Sequence, residues 1–180
     1  MYLSLTLQHW GKWMVKKVIW ALIFILIAGL LQSTLLGQLR ILNTIPDLTL
    51  GILVFTAYVN GTMCGQLTGF FSGLMLDFIS AAPPGYNALT RTLIGALAGF
   101  MKGTFFLDVF LLPMSLCGGA TIIKALIRNL LHLLLAGTVP AYDFTLPYFW
   151  IELGLNIITA PLLFIFLKLF KSILIGERET

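Results

Sequence analysis

The chain has 180 residues, 59% of them hydrophobic and only 10% charged, with a mean hydropathy of +0.99. That is too little polar surface to coat a soluble globule, so the composition excludes one and implies a membrane protein with several short-looped spans. The formal charge of +4 comes from lysines and arginines that flank apolar runs, which is a topology signal and not a nucleic-acid-binding face.

Residues 1–17 read as an N-terminal interfacial segment, with Trp10 and Trp13 beside Lys12 and with His9 at the membrane surface; Met14 would serve as an alternative start. Residues 18–170 read as one six-helix transmembrane domain, and residues 171–180 as a cytoplasmic tail. The first span, Val18 to Leu36, lacks a small-residue cleavage site and is expected to be a retained anchor. A short second span ends at Asn60-Gly61. At its start Asn43 or Thr44 can cap, Pro46 suits the first turn, and Asp47 complements the positive helix end. The third span, Thr62 to Ile79, is stopped by the Pro83, Pro84 and Gly85 turn, and the fourth runs from Ala88 to Met101. Pro113 opens a fifth helix reaching Ala136, and the sixth covers Tyr148 to Leu169. With the N-terminus inside, Lys12, Lys16, Lys17, Lys102, Lys168, Lys171 and Arg178 fall on the cytoplasmic side, and Arg40 is the lone cation in an external loop.

Two glycine ladders flank the Pro-Gly turn. Gly61, Gly65, Gly69 and Gly73 recur every four residues with Asp77 as the next step; Arg91 is followed by Gly95, Gly99 and Gly103. Apolar burial does not drive helices together in lipid, so small residues that admit close backbone approach are expected to pack the helices. Steps of four drift around a helix of 3.6 residues per turn, which suits a crossing partner or two neighbours. The tight connection makes the third and fourth spans antiparallel, and Asp77 and Arg91 are expected to form an ion pair at the membrane edge.

The fifth helix carries Lys124, Arg128 and His132 at steps of four within an apolar run. Cations at such depth are costly, so Arg128 is expected to face Glu152 or Asn156 of the sixth helix, whereas Lys124 has no obvious acidic partner and is expected to snorkel or face a cavity. His132 reads as a packing hydrogen-bonder. Neither a catalytic site, a metal nor a cofactor is expected. No nucleophile–base pair or ligand cluster accompanies these residues, and Cys64 and Cys117 read as small packing residues.

The run PDLTLGILVFTAYVNGTMCGQLTGFFSGLMLDFISAAPPGYNAL, residues 46–89, resembles the MreD family of bacterial rod-shape-determining membrane proteins. The marks are Pro46, Asp47 and Leu48 opening a short helix, then Gly73, Leu74, Leu76 and Asp77, then Pro84, Gly85, Asn87, Ala88 and Leu89. The resemblance implies a non-enzymatic scaffold subunit of the cell-elongation complex in the bacterial inner membrane. Its direct partner would be MreC, with MreB, RodA and penicillin-binding protein 2 in the wider complex. The resemblance also implies an all-α fold of six transmembrane helices, like the substrate-binding subunits of energy-coupling-factor transporters. That fold supplies an alternative function, solute binding for a vitamin-type transporter.

The cation asymmetry generates a topology prediction. Cysteines placed at Gly85 and Thr145 should react with an impermeant label from outside, whereas those at Gly103 and Thr180 should be protected; external labelling at Thr180 would overturn the arrangement.

Overall fold

The structure, a computed structural model, describes residues 2–36, 44–80, 83–103, 110–134, 141–170 and 174; in the first stretch, side chains are described for residues 13–34. Among the described residues six α-helices follow one another: α1 (Tyr2–Leu31), α2 (Leu48–Asn60), α3 (Thr62–Ile79), α4 (Tyr86–Phe100), α5 (Leu111–Leu134) and α6 (Pro147–Leu169). A π-helical turn, Gln32–Leu36, continues α1. α1 runs through residue 17 without a break, so the residues expected to form an interfacial segment and those expected to form the first span share one helix. The expected interfacial side chains of His9, Trp10 and Lys12, the external Arg40, and the tail cations Lys171 and Arg178 lie outside the described residues.

Among the described residues, three helical stretches are long and apolar enough to cross a membrane by length and composition: Trp13–Thr34, Leu111–Leu134 and Pro147–Leu169. The other three fall short for physical reasons. At 1.5 Å per residue, the 13 residues of α2 and 15 of α4 reach only about 20 and 22 Å against roughly 30 Å of hydrocarbon. α3 has 18 residues but includes Gln66 and Asp77.

α2 is apolar all round, and its residues from Thr49 to Ala57 are all buried, as befits a helix enclosed by others. It packs against α1, α3, α4, α5 and α6. Helix α2 starts later than the sequence suggests. The cap is Asp47, whose carboxylate accepts from Leu50 N at 3.0 Å, and Pro46 stands outside the helix with its carbonyl accepting from Leu48 N. At the other end, Asn60 donates to the Leu174 carbonyl at 3.0 Å, and Leu174 is fully buried. The expected polar tail therefore returns at least one apolar residue to the bundle.

α3 and α4 form an antiparallel hairpin, the most extensive helix pair in the molecule. A Cβ on Gly65 would collide with the Gly95 backbone, one on Gly69 would sit 2.7 Å from the Arg91 carbonyl carbon, and one on Gly73 would sit 2.5 Å from Ala88 Cα. From the α4 side, Gly95 meets Gly65 backbone, and Gly99 meets Thr62 Cα at 2.5 Å. These five glycines form one backbone-to-backbone seam between α3 and α4, and Gly65 also faces α2, where its Cβ would meet Ala57 Cβ at 2.7 Å. Gly61 and Gly103 play another part, although the Gly61 carbonyl carbon would lie 2.6 Å from a Cβ on Gly99. A Cβ on Gly61 would meet only the Lys102 side chain and one on Gly103 nothing within 4 Å, while their φ values of +96° and +74° mark turns that L side chains rarely adopt. α5 and α6 form the second antiparallel hairpin, and Pro161 lies within α6.

The seam predicts that Gly69→Leu and Gly73→Leu destabilise the protein by about 3 kcal/mol or more, because rigid backbone and not a movable side chain occupies the space. Gly119→Leu on α5, where an added Cβ meets nothing within 4 Å, serves as the control and should unfold near the wild-type temperature in detergent.

Candidate functional site: a buried ion cluster

The polar residues of the bundle converge on the start of α2. Asp47 Oδ2 accepts from Lys124 Nζ at 2.7 Å, and Asp47 Oδ1 lies 3.5 Å from Arg91 Nη2. The same Oδ1 takes the Thr49 hydroxyl at 2.8 Å and the Leu50 amide at 3.0 Å. Asp47's own amide donates to Asn156 Oδ1 at 2.7 Å, and Asn156 Nδ2 donates to Thr121 Oγ1 at 3.0 Å. Arg91 Nη2 donates to Thr49 Oγ1 at 2.6 Å. One residue thus ties α2 to α4, α5 and α6.

Glu152 extends the cluster outward. Its Oε1 accepts from Lys124 at 2.8 Å and its Oε2 from the Tyr142 hydroxyl at 2.6 Å. Tyr142 belongs to the connection between α5 and α6 and is held there several ways. Asn129 grips its backbone from both sides, accepting from the amide at 2.6 Å and donating to the carbonyl at 3.1 Å. The Arg128 guanidinium stands over its ring at 4.7 Å, a cation–π contact, and Phe149 meets the ring edge. Burial pushes the Tyr142 phenol up to about 12, so it stays a donor to Glu152 across the physiological range. Next to it, the Thr145 hydroxyl and amide hold the exposed Asp143 carboxyl below its ordinary value.

Asp47 and Glu152 balance Arg91 and Lys124, so the cluster is formally neutral. That balance makes burial tolerable, since an isolated ion in low dielectric costs several kcal/mol and a paired, hydrogen-bonded one much less.

Three expected pairings are corrected. Asp77 does not hold Arg91: it accepts from the amides of Gly85 at 2.9 Å, Asn87 at 2.8 Å and Ala88 at 3.2 Å, capping α4 from the neighbouring helix. Gly85 has no side chain with which to cap, so the orphan amides take the carboxylate of Asp77, while Arg91 lies more than a turn further along and faces α2. Lys124 does have acidic partners, two of them. Glu152 and Asn156, expected to meet Arg128, serve Lys124 and Tyr142, and Asp47 and Thr121, respectively. His132 lies in the last turn of α5, partly exposed. Pro84 and Gly85 form the α3–α4 turn as expected, with Gly85 in the left-handed region.

Sequence reasoning missed Thr49, Thr121 and Tyr142. Thr49, two residues after a helix-capping aspartate, carried a usable signal; the other two gain their roles only through tertiary contact. A cleft beside the cluster, lined by Asp47, Gly51, Cys117, Thr121, Asn156 and Leu163 among others, has room for about one water. Among the described residues no group of three His, Cys, Asp or Glu side chains is placed to hold a metal.

The family model for the rod shape-determining protein MreD matches residues 13–170, from the middle of α1 to the end of α6. The chain belongs to the MreD family. No curated protein and no solved structure matches it. The match takes in both the Pro46-Asp47-Leu48 mark and the Lys124 and Glu152 helices, so the whole ion cluster lies inside the MreD homology. Membership identifies a membrane protein of rod-shape determination.

Two substitutions separate the roles of the aspartates. Asp47→Asn leaves the buried Arg91 and the partly buried Lys124 each short of a partner and should cost about 3–5 kcal/mol; Asp77→Asn keeps one acceptor for the α4 amides and should cost only about 1–2 kcal/mol. Thermal unfolding in detergent measures both. The exchange Asp77→Arg with Arg91→Asp should rescue nothing, because the two are not partners.

Proposed function

We propose that the protein is a non-enzymatic scaffold of the bacterial inner membrane, with six spans and both termini cytoplasmic. In this reading it binds the transmembrane part of MreC and couples MreB filaments to peptidoglycan synthesis by RodA and penicillin-binding protein 2. The reading takes α2, α3 and α4 as crossings despite their length, because they are enclosed by or packed on helices that can span the bilayer. It also takes the six-helix arrangement as similar in kind to the energy-coupling-factor substrate-binding subunits.

The observation that carries the scaffold reading is that the anions of the cluster are satisfied internally: the carboxylate oxygens of Asp47 and Glu152 all engage groups of the chain itself, while Arg91 Nη1 is buried with no hydrogen-bond partner among the described residues. Charges arranged this way hold helices together. A solute site would instead direct polar groups into an open cavity of ligand size, and the cleft beside Asp47 has room for about one water.

Replacing a balanced pair tests this. Lys124→Met with Glu152→Leu removes one cation and one anion together, and leaves Asp47 its contacts with Arg91, Thr49 and Leu50. The double variant should fold, co-purify with MreC and support rod shape in cells lacking the native protein. A folded variant that loses MreC and rod shape would make the cluster a working polar site and sink the structural role assigned to it.

A further inference from the structure

We propose that the two hairpins present apolar walls of different height to the bilayer, and that the protein gathers shorter or more compressed lipid chains along its α3–α4 face than along α5–α6. The inference rests on the reading that α3 and α4 cross the membrane.

The heights follow from helix length. At 1.5 Å per residue, the 24 residues of α5 and 23 of α6 give about 36 and 35 Å, whereas the 18 of α3 and 15 of α4 give about 27 and 22 Å. The longer pair covers roughly 30 Å of hydrocarbon with a modest tilt; the shorter pair falls below it. Tilting the whole molecule lowers both walls together and leaves the difference in place.

The two walls are also fixed in relative depth. Asn156, bonded to the Asp47 amide, stands nine residues after Pro147, about 13 Å into α6. Arg91 reaches Asp47 from five residues after Tyr86, only about 7 Å into α4, so α4 is tied to the same cluster nearer its own start than α6 is. Neither α3 nor α4 can slide to correct this, because the glycine seam locks them to each other and α4 is tied to α2 through Arg91.

The lipid-facing surface of the short hairpin is apolar. Phe70, Phe71 and Phe78 on α3 and Leu93, Leu97 and Phe100 on α4 are exposed. Water over such a surface is unfavourable, so acyl chains must follow it down, and the bilayer thins locally.

The test uses tryptophan quenching by brominated lipid. In a background with the four native tryptophans replaced by phenylalanine, a single tryptophan is placed at mid-height on each wall, Phe71→Trp on α3 and Ile158→Trp on α6. Each variant is reconstituted into phosphatidylcholine vesicles holding equal parts of fourteen-carbon and twenty-two-carbon monounsaturated chains, with one or the other brominated. The tryptophan at position 71 should favour the shorter lipid about twofold or more relative to position 158. Leu93→Trp on α4 and Ile122→Trp on α5 repeat the comparison independently of any folding defect in the first pair. Equal preference on the two walls would overturn the inference while leaving the crossing intact. No quenching at position 71 by either lipid would overturn the crossing of α3 and the inference with it.

Discussion

A carboxylate placed where a helix begins inside the bundle constrains the rest of this molecule. Asp47 caps α2, and the cap position is largely enclosed by α4, α5 and α6 instead of lying in water. The positive end of α2 favours the charge, but a buried anion of this kind also demands cations, and the chain supplies them from two other helices. Lys124 must then point inward from α5, and Arg91 inward from α4. Lys124 in turn needs Glu152, and Glu152 takes the hydroxyl of Tyr142, which orders the loop between α5 and α6. A single capping residue thereby sets the rotation of three helices about their axes.

The glycine seam does a different job. It brings α3 and α4 into backbone contact without any charge, and it works between elements adjacent in sequence. Close packing of that kind fixes distance and crossing but is tolerant of which helices dock elsewhere. The ion cluster supplies that specificity, because a misdocked α5–α6 hairpin breaks the Lys124–Asp47 ion pair and the Asn156 bond to the Asp47 amide, leaving Asp47 and Lys124 each short of a partner in low dielectric. The two devices meet at α4, whose residues 91 and 95 serve the cluster and the seam one turn apart.

Much of the helix order was legible in the amino acids because turns announce themselves: Asn60-Gly61 and Pro84-Gly85 fall where the structure turns, and α3 has the expected bounds. The glycine steps marked the seam correctly for Gly65, Gly69, Gly73, Gly95 and Gly99, yet spacing alone does not tell a packing glycine from a turn glycine such as Gly61 or Gly103. The charges themselves were visible; their partners were not. The sequence pattern pairs ions across the nearest turn, Asp77 with Arg91 and Arg128 with Glu152 or Asn156, and leaves Lys124 without an acidic partner. The bond that organises the site joins Lys124 to Asp47, 77 residues away, and depends on a docking between hairpins that local pattern does not encode. Asp77 was misread for a related reason: a carboxylate beside a glycine-started helix serves the nearest orphan amides before any more distant cation.

Both ends of α2 are held by polar contacts to other parts of the chain. Asp47 fixes one end, and at the other Asn60 donates to the carbonyl of Leu174, which lies beyond α6 and is itself fully buried. Between them the helix is enclosed on every side, with Phe55 set edge-on against Phe164 of α6. A helix so held can neither slide along its axis nor turn about it without breaking a buried ion pair at one end and an amide contact at the other. Moving α2 would therefore disturb its contacts with α1, α3, α4, α5 and α6 together, so this short helix couples all the others of the bundle.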